Sequence, residues 1–438
     1  MKLLSYLGLV LGLVSQLDFV AAQRYAFAHV VVGNSAAHTQ ETWAQDITLA
    51  RNVGFDAFVL NIAYPDANIA PQVAHAFAAA EAAGADFKLF FAFDYLGGGE
   101  RWPSTGEPSV VSYLNMYKSS PAYFLYNDVP FVSTFEGTSD IDAWAPGGVI
   151  RSAVGGIWFV PDWTSLGPAG FAPYLENVEG AFNWDMWPVG ASNVTTELDQ
   201  AWTDVLGSKS YMMGLSPWFF HSADSPKKWV WRGDDSWADR WTQAIDFGAP
   251  FLQSNRDLER LGREQLHRPP PLPRRNPHRL GSLRRRTVAR ELARLPALLH
   301  RRVQGHPPPI TRDQMQYWYR PAPAAAGSTC GVVGGDTAQD GVPEISPNDI
   351  LTDAVFFSAL LTSAAQVHVQ IGVAAETVYD FAAGLTHARQ SFSGQTGVPR
   401  FWVTREGVLT GSGNGSEITA AATLAGGCTN YNPWVGSW

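Results

Sequence analysis

Cysteine, long apolar runs and familiar catalytic signatures are all scarce in this chain. Its 438 residues hold two cysteines, Cys330 and Cys428, both in the last quarter. No C-x-x-C, H-E-x-x-H, G-x-S-x-G or phosphate-loop pattern occurs, so zinc, protease, esterase and nucleotide chemistry have no support. Beyond the N-terminus there is no apolar run of about 20 residues, the length a membrane helix needs. A membrane is therefore not expected as a partner, and the C-terminal NYNPWVGSW lacks the apolar tail of a lipid-anchor signal.

One segment lacks what the rest has in abundance. Residues 254–306 contain no aromatic residue and no lysine, but 14 arginines against four acids. The whole chain carries −9, so this +10 stretch leaves −19 on everything else. Such an inversion has three sources: a basic interaction tail, a disordered insert, or a shifted reading frame. The genetic code discriminates among them. Read one base downstream, the codons for Asp257–His267 can encode TWNDWGESNY, and those for Arg294–Gln304 can encode DFLPYYIAAYK. Both windows recover the aromatic content that the segment lacks. The sequence thus predicts a stretch translated out of frame, the competing reading being a genuine Arg/Pro-rich disordered loop. An acidic chain outside this stretch argues against nucleic acid as a partner.

The first 22 residues read as a secretory signal: Lys2, an apolar core from Leu3 to Val14, and small residues Val20 and Ala22 before cleavage. Secretion, with the cell wall as a possible destination, makes one Cys330–Cys428 disulfide the simplest pairing, a free-thiol pair being the alternative. Asn193-Val194-Thr195 and Asn414-Gly415-Ser416 are glycosylation sequons, expected on exposed loops.

Up to about residue 250, apolar strands without alternation recur between helical stretches. Ala26–Val32, Asp56–Ile62, Lys88–Asp94, Val129–Glu136, Ile157–Trp163, Ala181–Trp187 and Tyr211–Phe220 are the strands; Gln40–Val53, Pro71–Ala83 and Ser109–Lys118 are among the helices. The pattern predicts an α/β fold, a (β/α)8 barrel over 23–320 whose eighth strand and closing helix are disrupted by the anomalous segment. A seven-stranded remnant with exposed edges would aggregate. A linker is expected over 321–348. A small β-sandwich-like domain is expected over 349–438, with strands at Val355–Leu361, Gln366–Gly372, Phe401–Thr404 and Glu417–Ala422.

Barrel enzymes carry their sites at the C-terminal ends of strands. Here those ends pair an acid or amide with an aromatic: Asn61, Asp94, Glu136, Asp162-Trp163, and Trp184-Asp185-Met186-Trp187, with Trp218 closing the seventh. Indoles stack on the apolar faces of sugar rings while carboxylates and amides take the hydroxyls. Each residue also has a plainer role. Asp94, Asp162 and Asp185 suit turn caps. Trp158 and Trp184 suit the core, and Trp229, Trp231, Trp237 and Trp241 suit helix packing. His29 is as consistent with a satisfied buried histidine as with a ligand contact.

Taken together, FAHVVVGN (Phe27–Asn34), WAQDITLARNVGFDAFVLNI (Trp43–Ile62), FKLFFAFDY (Phe87–Tyr95), PAYFLYNDVPFVSTFEG (Pro121–Gly137), WFVPDW (Trp158–Trp163), YMMGLSPWFF (Tyr211–Phe220) and ITRDQMQYWYRP (Ile310–Pro321) resemble glycoside hydrolase family 71, the fungal α-1,3-glucanases or mutanases. The resemblance implies endo-hydrolysis of α-1,3-glucan, with inversion, as a monomer and without cofactor or metal. Asp94, Glu136, Asp162 and Asp185 are then candidate sugar-binding carboxylates, and Asn61, Trp163, Trp187 and Trp218 candidate subsites. The family's eighth strand ends in a WND-aromatic-GES motif whose Asp and Glu look like the catalytic pair. Here those places fall on Arg260 and Arg263, which cannot serve as acid or base. If that segment is genuine, the expectation becomes a non-catalytic wall-glucan binding protein.

Overall fold

The computed structural model describes residues 23–84, 86–188, 190–221, 229–254, 309–326, 333–334, 345–420 and 431–438. A mixed α/β body comes first, built on a curled and mostly parallel sheet. We label its strands β1 (Tyr25–Val31), β2 (Ala57–Ala63), β3 (Lys88–Asp94), β4 (Val129–Phe135), β5 (Trp158–Phe159), β6 (Gly180–Phe182), β7 (Ser210–Leu215) and β8 (Phe251–Ser254). Parallel ladders join β1 to β2, β2 to β3, β3 to β4, β4 to β5, β6 to β7, β7 to β8 and β8 back to β1. Between β5 and β6 the link is thinner. Asp162 makes single parallel bridges to Phe135 on one side and Phe182 on the other.

These strands lack alternation because both faces are covered. Helices Gln40–Asn52 and Ile69–Ala83 pack outside, while aromatic rings fill the inside. Ser109 and Ser112 form a reciprocal cap that starts helix Val110–Tyr117. Phe27, Phe90, Phe131 and Phe251, from β1, β3, β4 and β8, meet with centroids 4.8–5.9 Å apart. Such ring pairs contribute about 0.5–1.5 kcal/mol each beyond their buried area.

Several expectations need correction. The eighth strand is not lost: Phe251–Ser254 ladders with both neighbours, its start fixed by the Phe251 ring in the interior. The expected Tyr211–Phe220 strand breaks at Ser216-Pro217, because proline donates no ladder hydrogen bond. The chain then turns back as an antiparallel pair, Phe219–His221 with Trp229–Trp231. Ala181–Trp187 stops at Phe182, since the Trp184 N–H goes to the Thr164 hydroxyl (2.8 Å) instead of a ladder. The closing helix, Arg260, Arg263, Cys330 and Cys428 all lie outside the described residues, as does the expected signal segment through Ala22.

The C-terminal part is two antiparallel sheets. One orders β13 (Gly384–Ser391), β10 (Ala354–Leu361), β9 (Gln314–Tyr319) and β16 (Trp434–Ser437); the other orders β12 (Thr377–Phe381), β11 (Ala365–Ile371), β14 (Pro399–Arg405) and β15 (Val408–Asn414). Tyr317, Phe357, Val367 and Phe401 share the core between them, Tyr317 stacking on Phe401 at 4.1 Å. Strand β9 lies on the barrel side of the expected boundary near 320 yet pairs with β10 and β16. Its alternate residue Trp318 belongs to the core of the first body, and its indole N–H donates to the Asp234 carbonyl (2.8 Å). That double burial explains why all eight residues of β10 are buried. Glu417–Ala422 was expected as a strand, but Ile418 only bridges Gly397 and Ala421–Ala422 lie outside the described residues. Among the described residues no helix is long and apolar enough to cross a membrane.

Candidate active site

Four carboxylates stand at the C-terminal ends of successive strands β3 to β6. Asp94 ends β3, Glu136 follows β4, Asp162 follows β5 and Asp185 follows β6. Asp94 Oδ1 accepts the Leu96 and Gly97 N–H groups at 2.9 and 2.6 Å, and Asn61 donates to the same carboxylate. Burial lifts the Asp94 pKa above the usual carboxylate range, and these three donors hold it back. Gly97 is required here, because a Cβ would sit 2.5 Å from Asp94 Oδ2.

Glu136 takes a left-handed backbone conformation, φ 52°, unusual for a side chain of this size. That turn sends its carboxylate to the loop after β5, where it accepts the Ser165 N–H at 3.0 Å and the Ser165 hydroxyl. Asp162 is wholly buried. Its Oδ1 accepts the Thr164 hydroxyl at 2.5 Å and the Thr164 N–H at 3.2 Å, while Oδ2 has no hydrogen-bond partner among the described residues. Burial pushes its pKa well above the usual range; Thr164 opposes this, and the charges of Glu136 and Asp185 add to it. The Thr164 hydroxyl donates to Asp162 and accepts from the Trp184 N–H, tying the ends of β5 and β6 together. Asp185 is exposed, and its N–H is held by buried Asn183 at 3.2 Å.

The capping role and the functional role thus coexist. In Asp94 and Asp162 one oxygen caps a turn, which fixes the direction of the other. A carboxyl that keeps its proton to higher pH beside two other acids can both donate to and accept from a polar ligand.

The aromatic residues divide differently from expectation. Trp163 is fully buried against Phe159 and Phe171, at 5.7 and 5.6 Å, so it offers no sugar platform. Trp218 is likewise buried; its carbonyl accepts the Trp187 indole N–H at 3.4 Å. Trp184, expected in the core, is partly buried and packs against it at the interior mouth, where its ring meets His29 and Phe135, each at 5.1 Å. Trp187 is partly buried and stacks on Trp231 at 4.8 Å with Phe219 at its edge. Trp231 and Trp229 line this wall beside the mouth, whereas Trp237 and Trp241 are helix-packing core, as expected. Trp158 is half-buried on Tyr126. Asn61 is buried beside Asp94.

Sequence reasoning missed Thr164, Ser165, Asn183 and Gln253. The available signal was a hydroxyl or amide one to three residues from a strand-end acid. Asn193 and Asn414, the sequon asparagines, are both exposed. With the site's geometry described, similarity decides the classification. Residues 22–254 and 295–438 match glycosyl hydrolase family 71.

The chain belongs to that family. It is a glycoside hydrolase by descent, and the unmatched stretch lies wholly within the basic segment. It is 27% identical to a mutanase of Penicillium rubens over 441 residues, covering 97% of this chain and 91% of that protein. It is 26% identical to the glucan endo-1,3-alpha-glucosidase agn1 of Schizosaccharomyces pombe, covering 100% and 99% respectively. An ascus wall endo-1,3-alpha-glucanase of the same yeast matches at 24% over 52% of this chain and 53% of its own length. Among solved structures, an endo-alpha-mannosidase of Bacteroides thetaiotaomicron aligns with TM-score 0.38 at 15% identity, covering 51% of this chain and 71% of that one, a likeness too loose to bear on the chemistry.

Proposed function

We propose that this protein is a secreted, endo-acting hydrolase of α-1,3-glucan, working by inversion through two carboxyl groups without cofactor or metal. The observation that carries this reading is similarity along essentially the whole chain to proteins named mutanase and glucan endo-1,3-alpha-glucosidase. The fold is read as a (β/α)8 barrel followed by a β-sandwich, supported by the eight parallel strands and the Asp162 bridges between β5 and β6. Asp94, Glu136, Asp162 and Asp185 are its supporting carboxylates, and Trp184 and Trp187 its sugar platforms. Inversion needs roughly 6.5–9.5 Å between acid and base, to admit a water.

The acid and base themselves belong to the stretch of sequence that follows β8, where the sequence reads Arg260 and Arg263. We read residues 254–306 as translated out of frame. In support, the family match breaks at 254 and resumes at 295, and the unmatched stretch holds 12 of the segment's 14 arginines. The second reading, a non-catalytic wall-glucan binder, is favoured by those same two arginines if they are genuine.

The test is hydrolysis of insoluble α-1,3-glucan by the protein in both frames, with the first-released anomer followed by proton NMR. The proposal expects activity and net inversion in the restored frame and none in the present one. Inactivity of the restored protein on α-1,3-glucan, with cleavage of another glucan, would overturn it.

A further inference from the structure

Inside the mouth of the sheet lies an amide held at one end only. Gln253, on β8, places Nε2 3.0 Å from His29 Nδ1 on β1, and both side chains are about 1% exposed. The His29 ring in turn meets Trp184, which comes from the far side of the sheet and also touches Phe135 of β4. Residues from β1, β4 and the end of β6 can meet only across the interior, so Gln253 faces the same enclosed space. Its Oε1 is buried and has no hydrogen-bond partner among the described residues. Asn61 repeats the arrangement on β2: it donates to Asp94, while its Oδ1 is buried and has no hydrogen-bond partner among the described residues.

Buried amide oxygens are satisfied in the great majority of folded proteins, because an unmade hydrogen bond leaves the desolvation cost uncompensated. Two such oxygens, both fixed in direction by the bond at the other end of the amide, are left for a partner that the described residues do not supply. They are explained by a ligand that brings donors. A glucose residue offers several hydroxyls and an apolar ring face, and Trp184 presents an aromatic ring to the same space.

We propose that Gln253 and Asn61 are specificity-determining residues, whose free amide oxygens accept hydroxyls of one glucose unit held against Trp184. His29 is the positioning residue, orienting Gln253 through Nδ1. The inference rests on the α-1,3-glucan reading above, and it assigns nothing to the basic segment.

The probe is an α-1,3-linked glucose tetrasaccharide, its binding to the full chain followed by calorimetry and by Trp fluorescence. Gln253→Met preserves length and removes the oxygen. It is expected to weaken binding about fivefold, the equivalent of one neutral hydrogen bond; loss of the buried His29 hydrogen bond lowers the melting temperature as well. A purely structural glutamine would lower melting with unchanged affinity, and that result overturns the proposal. A second series needs no variant. Tetrasaccharides lacking single ring hydroxyls are compared on the wild-type chain, and at least one should bind about fivefold more weakly. If Gln253→Met folds, that deoxy sugar should lose nothing further on the variant. Equal binding of every deoxy sugar to the wild type also overturns the proposal. Wild-type binding of a different glucan but not of the α-1,3-linked one would instead sink the substrate reading, so the two failures are distinguishable.

Discussion

Consider Asp162→Asn in a protein whose 254–306 segment has been restored to the alternate frame. The wild-type carboxyl is fully buried, with Oδ1 on Thr164 and Oδ2 without a partner among the described residues, and burial holds its pKa well above the usual range. The amide keeps an oxygen for Thr164 and removes a group that is costly to ionise, so the variant should be more stable by about 1 kcal/mol, or about 2 °C in a protein of this size. Turnover should move the other way. Losing one neutral hydrogen bond to the sugar costs about 0.5–1.5 kcal/mol, which is about 2- to 12-fold in rate. The pH dependence has a definite sign. A folded-state pKa above the unfolded value gives stability that is complete below about 4, the unfolded pKa, and is lost as pH rises through the folded pKa. The Asn variant lacks this loss, so its advantage in melting temperature should widen as pH rises above about 4. Reducing-sugar release from insoluble α-1,3-glucan and thermal melts from pH 4 to 8 measure both quantities. Wild-type turnover would remove Asp162 from the site, and a lower melting temperature throughout would show the carboxylate to be a structural anchor.

Asp199 and Arg240 form a buried bidentate pair at 2.6 and 2.8 Å, with the Tyr211 hydroxyl on Asp199 at 2.7 Å. Asp199→Ala strands the guanidinium in the core and should cost about 3–5 kcal/mol, read as a large drop in melting temperature. Asp313, paired with Arg405 and capped by Thr362, has its pKa held down to about 2 by the Arg405 hydrogen bonds. Its contribution is present above about 4 and lost as pH falls toward 2, so Asp313→Asn should flatten the acid limb of a melting curve; an unchanged limb would refute this. Sequencing the transcript around codons 253 and 307 should reveal compensating insertions or deletions, whereas a clean open frame would favour the binding-protein reading.

Much of the parallel sheet was legible because its strands are covered on both faces. Continuous apolar runs such as Ala57–Ala63 and Lys88–Asp94 need no knowledge of their partners to be recognised. Where strands ended was harder, since endings depend on single competing hydrogen bonds. Thr164 takes the Trp184 N–H and stops β6, and Pro217 divides what reads as one long strand. The expected boundary near 320 left β9 on the wrong side of its strand partners for a related reason. Strand β9 alternates Tyr317 and Tyr319 toward one core with Trp318 toward another, and an all-aromatic run hides which face is which. The acids were visible as strand-end residues, but their environments were not. Glu136 and Asp162 differ mainly in burial, and burial is decided by residues distant in sequence.

The roles of the tryptophans show why composition alone misleads at such a site. Trp163 directly follows an acid and reads as a sugar platform, yet the chain turns after it through Thr164–Leu166 and folds Phe171 over its ring. Trp184 reads as core, but one strand further round the sheet the early end of β6 frees it to lean toward His29. The difference lies in the Thr164 side chain, which donates to Asp162 and accepts from Trp184 with a single hydroxyl. Thr164→Val keeps the shape and removes that link, so it should disturb the Trp184 orientation together with the Asp162 carboxyl. A changed tryptophan fluorescence spectrum and reduced tetrasaccharide binding in the same variant would support this coupling. A change in one without the other would show that the two ends of the sheet are positioned independently.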